Sequence, residues 1–268
     1  MITSARHAWA FLTRLPGGAH PRDDTEYSRS LRWFGPVGLV VGGVVALAWV
    51  VLAWVFPSMT AAVLTVGFAA AITGALHEDG LADTVDGLAG GRTPERRLEI
   101  MRDSRLGVFG TVALVVVVLV DVSVLASFDV RTGATTVLTA HGLSRFAAAR
   151  VTERVAPARA DGLGAVAANR RMQLDVLTPV AVVVLHGVYA VIVLSAALVT
   201  TVVVVAWARR RIGGSTGDVA GAVARLVQTS TLLAVMAWWR LAELGVERGG
   251  LEWLVDLRPV APWLPWSI

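Results

Sequence analysis

Phe34 to Phe56 reads FGPVGLVVGGVVALAWVVLAWVF, 23 consecutive residues without a charge. Ser58 to Leu76, SMTAAVLTVGFAAAITGAL, adds an uncharged run of 19. A helix needs about 20 apolar residues to cross the ~30 Å hydrocarbon core of a bilayer, and a water-soluble core has no need of runs this long. The two runs therefore predict transmembrane helices and set the class as an all-α, polytopic integral membrane bundle. Composition agrees, since only 16% of the 268 residues are charged, against about 25% in a soluble domain.

Further runs follow downstream. Gly107 to Ser127 is apolar except for Asp121, and Thr132 to Val151 is weaker, carrying His141, Arg145 and Arg150. Leu174 to Ala208 is broken only by Asp175 and His186, and Asp218 to Trp239 contains Arg225. All 24 basic residues are arginine, and they cluster beside the runs: Arg6 to Arg32, Arg92 to Arg105, Arg150 to Arg171, and Arg209 to Arg211. Placing the clusters on the cytoplasmic side requires the long 174–208 stretch to cross an even number of times. A tight helical hairpin turning near Gly187 to Ser195 satisfies this. The expected topology is about seven spans, N-terminus inside and C-terminus outside, with Trp253, Trp263 and Trp266 in an interfacial tail. No repeat or linker divides residues 1–268, which read as one domain.

Charge placement also excludes function classes. The pI near 10.8 reflects arginines at membrane boundaries, which suit anionic lipid headgroups and not a nucleic acid. With no cysteine in the chain, disulfides, thiolate catalysis and Cys-ligated zinc are excluded. Met1 to Pro16 lacks the pattern of a cleaved leader.

The chemistry concentrates elsewhere. Seven of the 20 acidic residues fall between Glu78 and Asp103, beginning with the run His77-Glu78-Asp79-Gly80-Leu81-Ala82-Asp83-Thr84-Val85-Asp86-Gly87. If the second span continues as a helix, Asp79, Asp83 and Asp86 fall at i, i+4 and i+7, within about a 60° arc. Three carboxylates on one stripe repel each other unless a cation compensates them. Hard oxygen ligands call for Mg²⁺, Mn²⁺ or Ca²⁺, and Mg²⁺, with Mn²⁺ as a substitute, characteristically shares its shell with substrate phosphates. Thr93-Pro94-Glu95 then reads as the start of a second helix, carrying Arg96, Arg97, Arg102, Asp103 and Arg105. A carboxylate among arginines, returned beside the stripe, would complete a metal cage and clamp a phosphate.

Several blocks in order resemble the cobalamin-5′-phosphate synthase family, also called adenosylcobinamide-GDP ribazoletransferase. They are Phe11 to Pro16 (FLTRLP), Trp33 to Leu39 (WFGPVGL), His77 to Gly91 (HEDGLADTVDGLAGG), Arg97 to Gly110 (RLEIMRDSRLGVFG), Asp161 to Gly164 (DGLG) and Gly213 to Asp218 (GGSTGD). The resemblance implies a multi-pass inner-membrane, Mg²⁺-dependent enzyme with its site on the cytoplasmic side. Its substrates would be adenosylcobinamide-GDP and α-ribazole or the 5′-phosphate of α-ribazole, and it would release GMP. Carried onto this chain, Glu78, Asp79, Asp83, Asp86 and Asp103 would hold metal, with Asp79, Asp83, Asp86 and His77 as catalytic candidates. Arg14, Arg102 and Arg105 would bind phosphates.

Other positions carry two readings each. His77 is a base or phosphate donor, or a helix-end histidine at headgroup level. His141 and Arg145, one turn apart in the weak fourth span, are too costly to face lipid and are expected to line the substrate cavity. Asp121 either pairs with Arg145 or sits at the outer interface, and His186 is expected to be a packing residue. Asp218, after a glycine-rich loop, either helps to cradle a phosphate or caps a helix. Partners beyond substrate and lipid, a homo-oligomer or a pathway complex, are left open. A CDP-alcohol phosphotransferase is a competing class, but Asp86-Gly87 lacks the Ala-Arg of its fingerprint. A prenyl transferase needs two aspartate-rich stripes, and a transporter is expected to show repeated halves and broken midplane helices.

The arginine pattern predicts that cysteines introduced at Ser4, Thr93 and Ser215 all resist an impermeant thiol reagent added outside intact cells. Labelling of the Thr93→Cys protein from outside would reverse the orientation.

Overall fold

The absence of charge from Phe34 onward lets one helix run unbroken for 22 residues, and glycines decide what it packs against. The computed structural model describes residues 2–159 and 175–247. The Asp161–Gly164 block, Arg170, Arg171 and the tail tryptophans lie outside the described residues. The elements, in order, are α1 (Ile2–Leu12), α2 (Asp24–Ser30), α3 (Phe34–Val55), α4 (Ser58–Thr73), α5 (Leu76–Gly90), α6 (Pro94–Ile100), α7 (Val108–Ala126), α8 (Val130–Arg154), α9 (Leu177–His186), α10 (Ala190–Ile212) and α11 (Gly217–Glu247). No strand forms among the described residues; a single parallel bridge joins Pro157 to Ser215.

Helices α3 and α8 form the core pair. A Cβ added at Gly38 would lie 2.6 Å from the His141 carbonyl oxygen, and one at Gly42 would lie 2.5 Å from that of Leu138. The two backbones touch there, as small residues allow in membrane bundles. Farther along, the Trp49 indole donates to the Val130 carbonyl at 3.0 Å and lies over Gly133. The opposite face of α3 exposes Val40, Leu47, Val51 and Trp54, and α7 and α10 expose Val112, Leu119, Leu198 and Val203. An apolar exterior of this extent belongs in lipid.

Among the described residues, four helical stretches are long and apolar enough to cross a membrane: Asp24–Val55, Val108–Ala126, Leu177–Ile212 and Gly217–Leu241; α4 and α5 taken together make a fifth. The expected count of seven is therefore not reproduced, for two physical reasons. Helix α8 is too polar to count by composition, but α3 and α11 cover it and it need not face lipid. Helix α9 has 10 residues and rises only about 15 Å. The chain turns after it at Gly187 (φ +55). Asp175, before α9, approaches Gly35 near the start of α3, and His186 at the far end meets Thr139 at 2.8 Å. Helix α10 then returns to set the Arg211 carbonyl 3.0 Å from Arg97 Nη1. Both arms thus start or finish at the arginine-rich end.

The expectation that the second span runs on into the acidic segment is corrected. Helix α4 stops at Gly74 (φ +65) and Ala75 (φ +54), and α5 leaves at 90°. Gly74 takes the left-handed conformation without cost, whereas Ala75 is strained there by about 1–2 kcal/mol. The Arg14 backbone N–H donates to the Ile72 carbonyl at 2.8 Å, and the Arg14 side chain lies against Gly74. The N-terminal segment thus straps the elbow.

The α3–α8 contact yields a stability prediction. Gly42→Leu should destabilise the protein by about 1–3 kcal/mol through overpacking, seen as a lower melting midpoint in detergent. Gly43→Leu should leave the midpoint unchanged, since nothing lies within 4 Å of a Cβ there.

Candidate active site

Small residues decide which way the carboxylates of α5 point. Gly80 lies against Asp218 and Gly221 of α11, Ala82 against Gly110 of α7, and Gly87 against Met101 and Arg97 beside α6. With these residues buried, Asp79 is exposed, Asp83 half-buried and Asp86 buried. The i, i+4, i+7 stripe survives the elbow because α5 begins at Leu76, before its first aspartate.

The members of the stripe have different surroundings. Both oxygens of Asp86 are engaged, Oδ2 accepting from the Gly107 N–H at 2.8 Å and Oδ1 from the Gly110 N–H at 2.9 Å. Asp86 thus caps the first turn of α7, where a negative charge also favours the helix dipole. Glu78 turns inward, its Oε1 3.1 Å from Arg225 Nε. Asp103 pairs with Arg105 at 2.5 Å, and these hydrogen bonds hold its carboxyl down to about 2. The expected cage of five carboxylates is therefore not assembled. Glu78, Asp86 and Asp103 each have another partner, and among the described residues no three acidic or histidine side chains converge tightly enough to hold a metal ion. Arg102 and Arg105 are exposed beyond α6, and Arg14 is exposed at the elbow.

What does gather is a looser group that includes Asp218. The charges of Asp79, Asp218 and Asp86 all act on Asp83. Asp218 opens α11, accepts from the Thr216 hydroxyl at 3.2 Å, and lies 3.6 Å from Arg159 Nη2. Asp79, Asp83 and Asp218 thus form an open, negatively charged face with Arg159 at its border.

Beneath this face lies a buried polar cluster. Arg225, 1% exposed, reaches Asp121 at 2.7 Å as well as Glu78, and donates to Thr229 at 3.0 Å. Pairing with Arg145, one of the two readings of Asp121, does not form: Arg225 of α11 takes Asp121, and Arg145 instead donates to Ser144 at 2.9 Å and Gln228 at 3.0 Å. His77, His141 and Arg145 are all buried. His141 lines a small internal cavity with Thr65, Asp121 and Gln228, and Arg145 is not on its wall. Sequence reasoning gives Arg159 only a part in setting topology and marks no role for Gln228. For Gln228 the available signal was its position within one turn of Arg225.

Comparison with known proteins adds the remaining evidence. The cobalamin-5-phosphate synthase family matches the chain over residues 4–236. An adenosylcobinamide-GDP ribazoletransferase of Bradyrhizobium diazoefficiens is 38% identical over 248 residues, covering 89% of this chain and 95% of the relative. One from Azorhizobium caulinodans is 35% identical over 250 residues, covering 87% and 95%, and one from Escherichia coli is 35% identical over 242 residues, covering 85% and 98%. No solved structure matches the chain. Since the match takes in the elbow, the carboxylate helix and the loop that carries Asp218, the chain belongs to the cobalamin-5-phosphate synthase family.

Proposed function

We propose that this chain is the membrane transferase that joins adenosylcobinamide-GDP to α-ribazole or its 5′-phosphate and releases GMP. The observation that carries this reading is the grouping of Asp79, Asp83 and Asp218 at the arginine-rich end of an apolar bundle. A diphosphate carries charge that such a face binds only through a cation, and the relatives are named for a reaction on a GDP-linked corrinoid.

The donor set fits Mg²⁺, because that ion usually takes one or two protein carboxylates and completes its shell with water and substrate phosphates. Asp79 and Asp83 would hold it, and when bound it supplies neutralisation of the charge that develops on the diphosphate. The protein's own tasks are those of phosphoryl transfer generally, positioning and electrostatic complementarity. A ribose hydroxyl oxygen attacks the cobinamide-linked phosphorus, the bond from that phosphorus to the GMP oxygen breaks, and the hydroxyl proton passes to a carboxylate. A carboxylate of the face that does not hold the cation suits that last role. Asp86 acts one step removed, by fixing α7 against α5. In the orientation proposed here the open face lies on the cytoplasmic side of the cell membrane, following the arginines, where charged substrates need not cross the bilayer.

Asp83→Asn keeps shape and hydrogen bonding but removes one negative charge. GMP release should fall about 10²–10³-fold, while membrane insertion is normal and the melting midpoint without Mg²⁺ rises slightly as repulsion is relieved. Wild-type turnover of this variant at limiting Mg²⁺ would mean that the stripe is a solvated helix face.

A further inference from the structure

Arginines abound at this end of the protein, yet those around the carboxylates are mostly spoken for. Arg225 is shared between Glu78 and Asp121, Arg145 is held by Ser144 and Gln228, Arg97 donates to the Arg211 carbonyl, and Arg105 is locked to Asp103. Arg159 differs. Its side chain is only 17% exposed, and among the described residues both its Nε and its Nη2 are buried with no hydrogen-bond acceptor, whereas Arg97, Arg145 and Arg225 each leave only Nε so. Among the described residues its ion-pair partner is Asp218, at 3.6 Å, beyond hydrogen-bond reach. A guanidinium buried with idle donors is costly unless an acceptor completes it. Its planar fork matches the spacing of two phosphate oxygens.

The segment before it fixes the placement. The Ala158 N–H donates to the Ser215 carbonyl at 2.8 Å, and the Ser215 N–H donates to the Ala156 carbonyl at 2.9 Å. This bridge ties the chain just before Arg159 to the loop just before Asp218. A Cβ at Gly214 would lie 2.4 Å from the Ala156 carbonyl oxygen, so the two strands of chain meet only because that position has no side chain. Arg159 is thereby held at the edge of the face formed by Asp79, Asp83 and Asp218.

We infer that Arg159 is a substrate-binding residue, whose idle guanidinium donors take the diphosphate of the nucleotide-linked corrinoid beside the carboxylates. This rests on the transferase reading above. Phosphate oxygens also occur on the acceptor when it is α-ribazole 5′-phosphate. The diphosphate is favoured because Arg159 adjoins the carboxylates, which need a cation-bridged diphosphate, and is not set apart from them.

The test compares wild type, Arg159→Ala and Arg159→Lys in detergent, following GMP release with free α-ribazole and with α-ribazole 5′-phosphate as acceptors. Arg159→Ala should lose about 10- to 100-fold in kcat/KM for the corrinoid, equally with both acceptors, and added guanidinium should restore part of it. Arg159→Lys keeps the charge without the fork and should fall between the two; it also serves if Arg159→Ala does not fold. Unchanged corrinoid kinetics in Arg159→Ala, or a loss confined to the phosphorylated acceptor, would overturn the inference. A wild-type protein that releases no GMP would instead remove the transferase reading on which it rests.

Discussion

An arginine inside an apolar helix bundle must be paired, and Arg225 is paired twice. Ionisable groups at membrane depth are expensive and persist only where protein partners compensate them. Asp121 of α7 and Glu78 of α5 supply that compensation at 2.7 and 3.1 Å, so one guanidinium joins three helices. Removing one partner of a buried pair leaves an uncompensated charge and typically costs about 3–5 kcal/mol. The cluster thus fixes where the first turn of α5 sits against the rest of the bundle.

The arrangement of the site follows from that anchor. With Glu78 turned inward and Gly80 pressed on Gly221, the next turns of α5 have little rotational choice. Asp86 is carried to the start of α7, where two backbone N–H groups take both of its oxygens. Asp79 and Asp83 are left facing outward toward Asp218. The acids therefore divide by task, some holding helices in place and some remaining open. The mutual repulsion of the open ones is tolerated because the inward members hold the backbone. Local relaxation that would separate them is resisted by the elbow at Gly74 and Ala75 and by the strap through Arg14.

Much of this was legible in the sequence, and the rest was not for identifiable reasons. The uncharged run of α3 and the 3.6-residue spacing of Asp79, Asp83 and Asp86 are local properties, and both appear as read. The turn at Gly187 falls within the window that the flanking arginines demanded. The elbow was missed because Ala75 is an ordinary helix former, and only tertiary packing places it at positive φ. Helix α8 was read as a weak span because composition cannot distinguish a polar helix in water from one enclosed by α3 and α11. The partners of Asp86 lie 21 and 24 residues away along the chain, and those of Arg225 lie on helices far upstream. No spacing rule reports such contacts. Arg159 was counted among the topology-setting arginines, which hid that its donors are idle.

We propose that the apolar bundle holds a carboxylate face at which the phosphoryl-linked corrinoid passes from GMP to a ribose hydroxyl. The most direct measurement is GMP formed by the detergent-purified wild-type chain given adenosylcobinamide-GDP, with and without α-ribazole, in Mg²⁺ or in excess chelator. One GMP is expected for each corrinoid joined to ribazole, only when both substrates and Mg²⁺ are present. Folded protein that forms no GMP under those conditions, or forms it equally well in chelator, would contradict it.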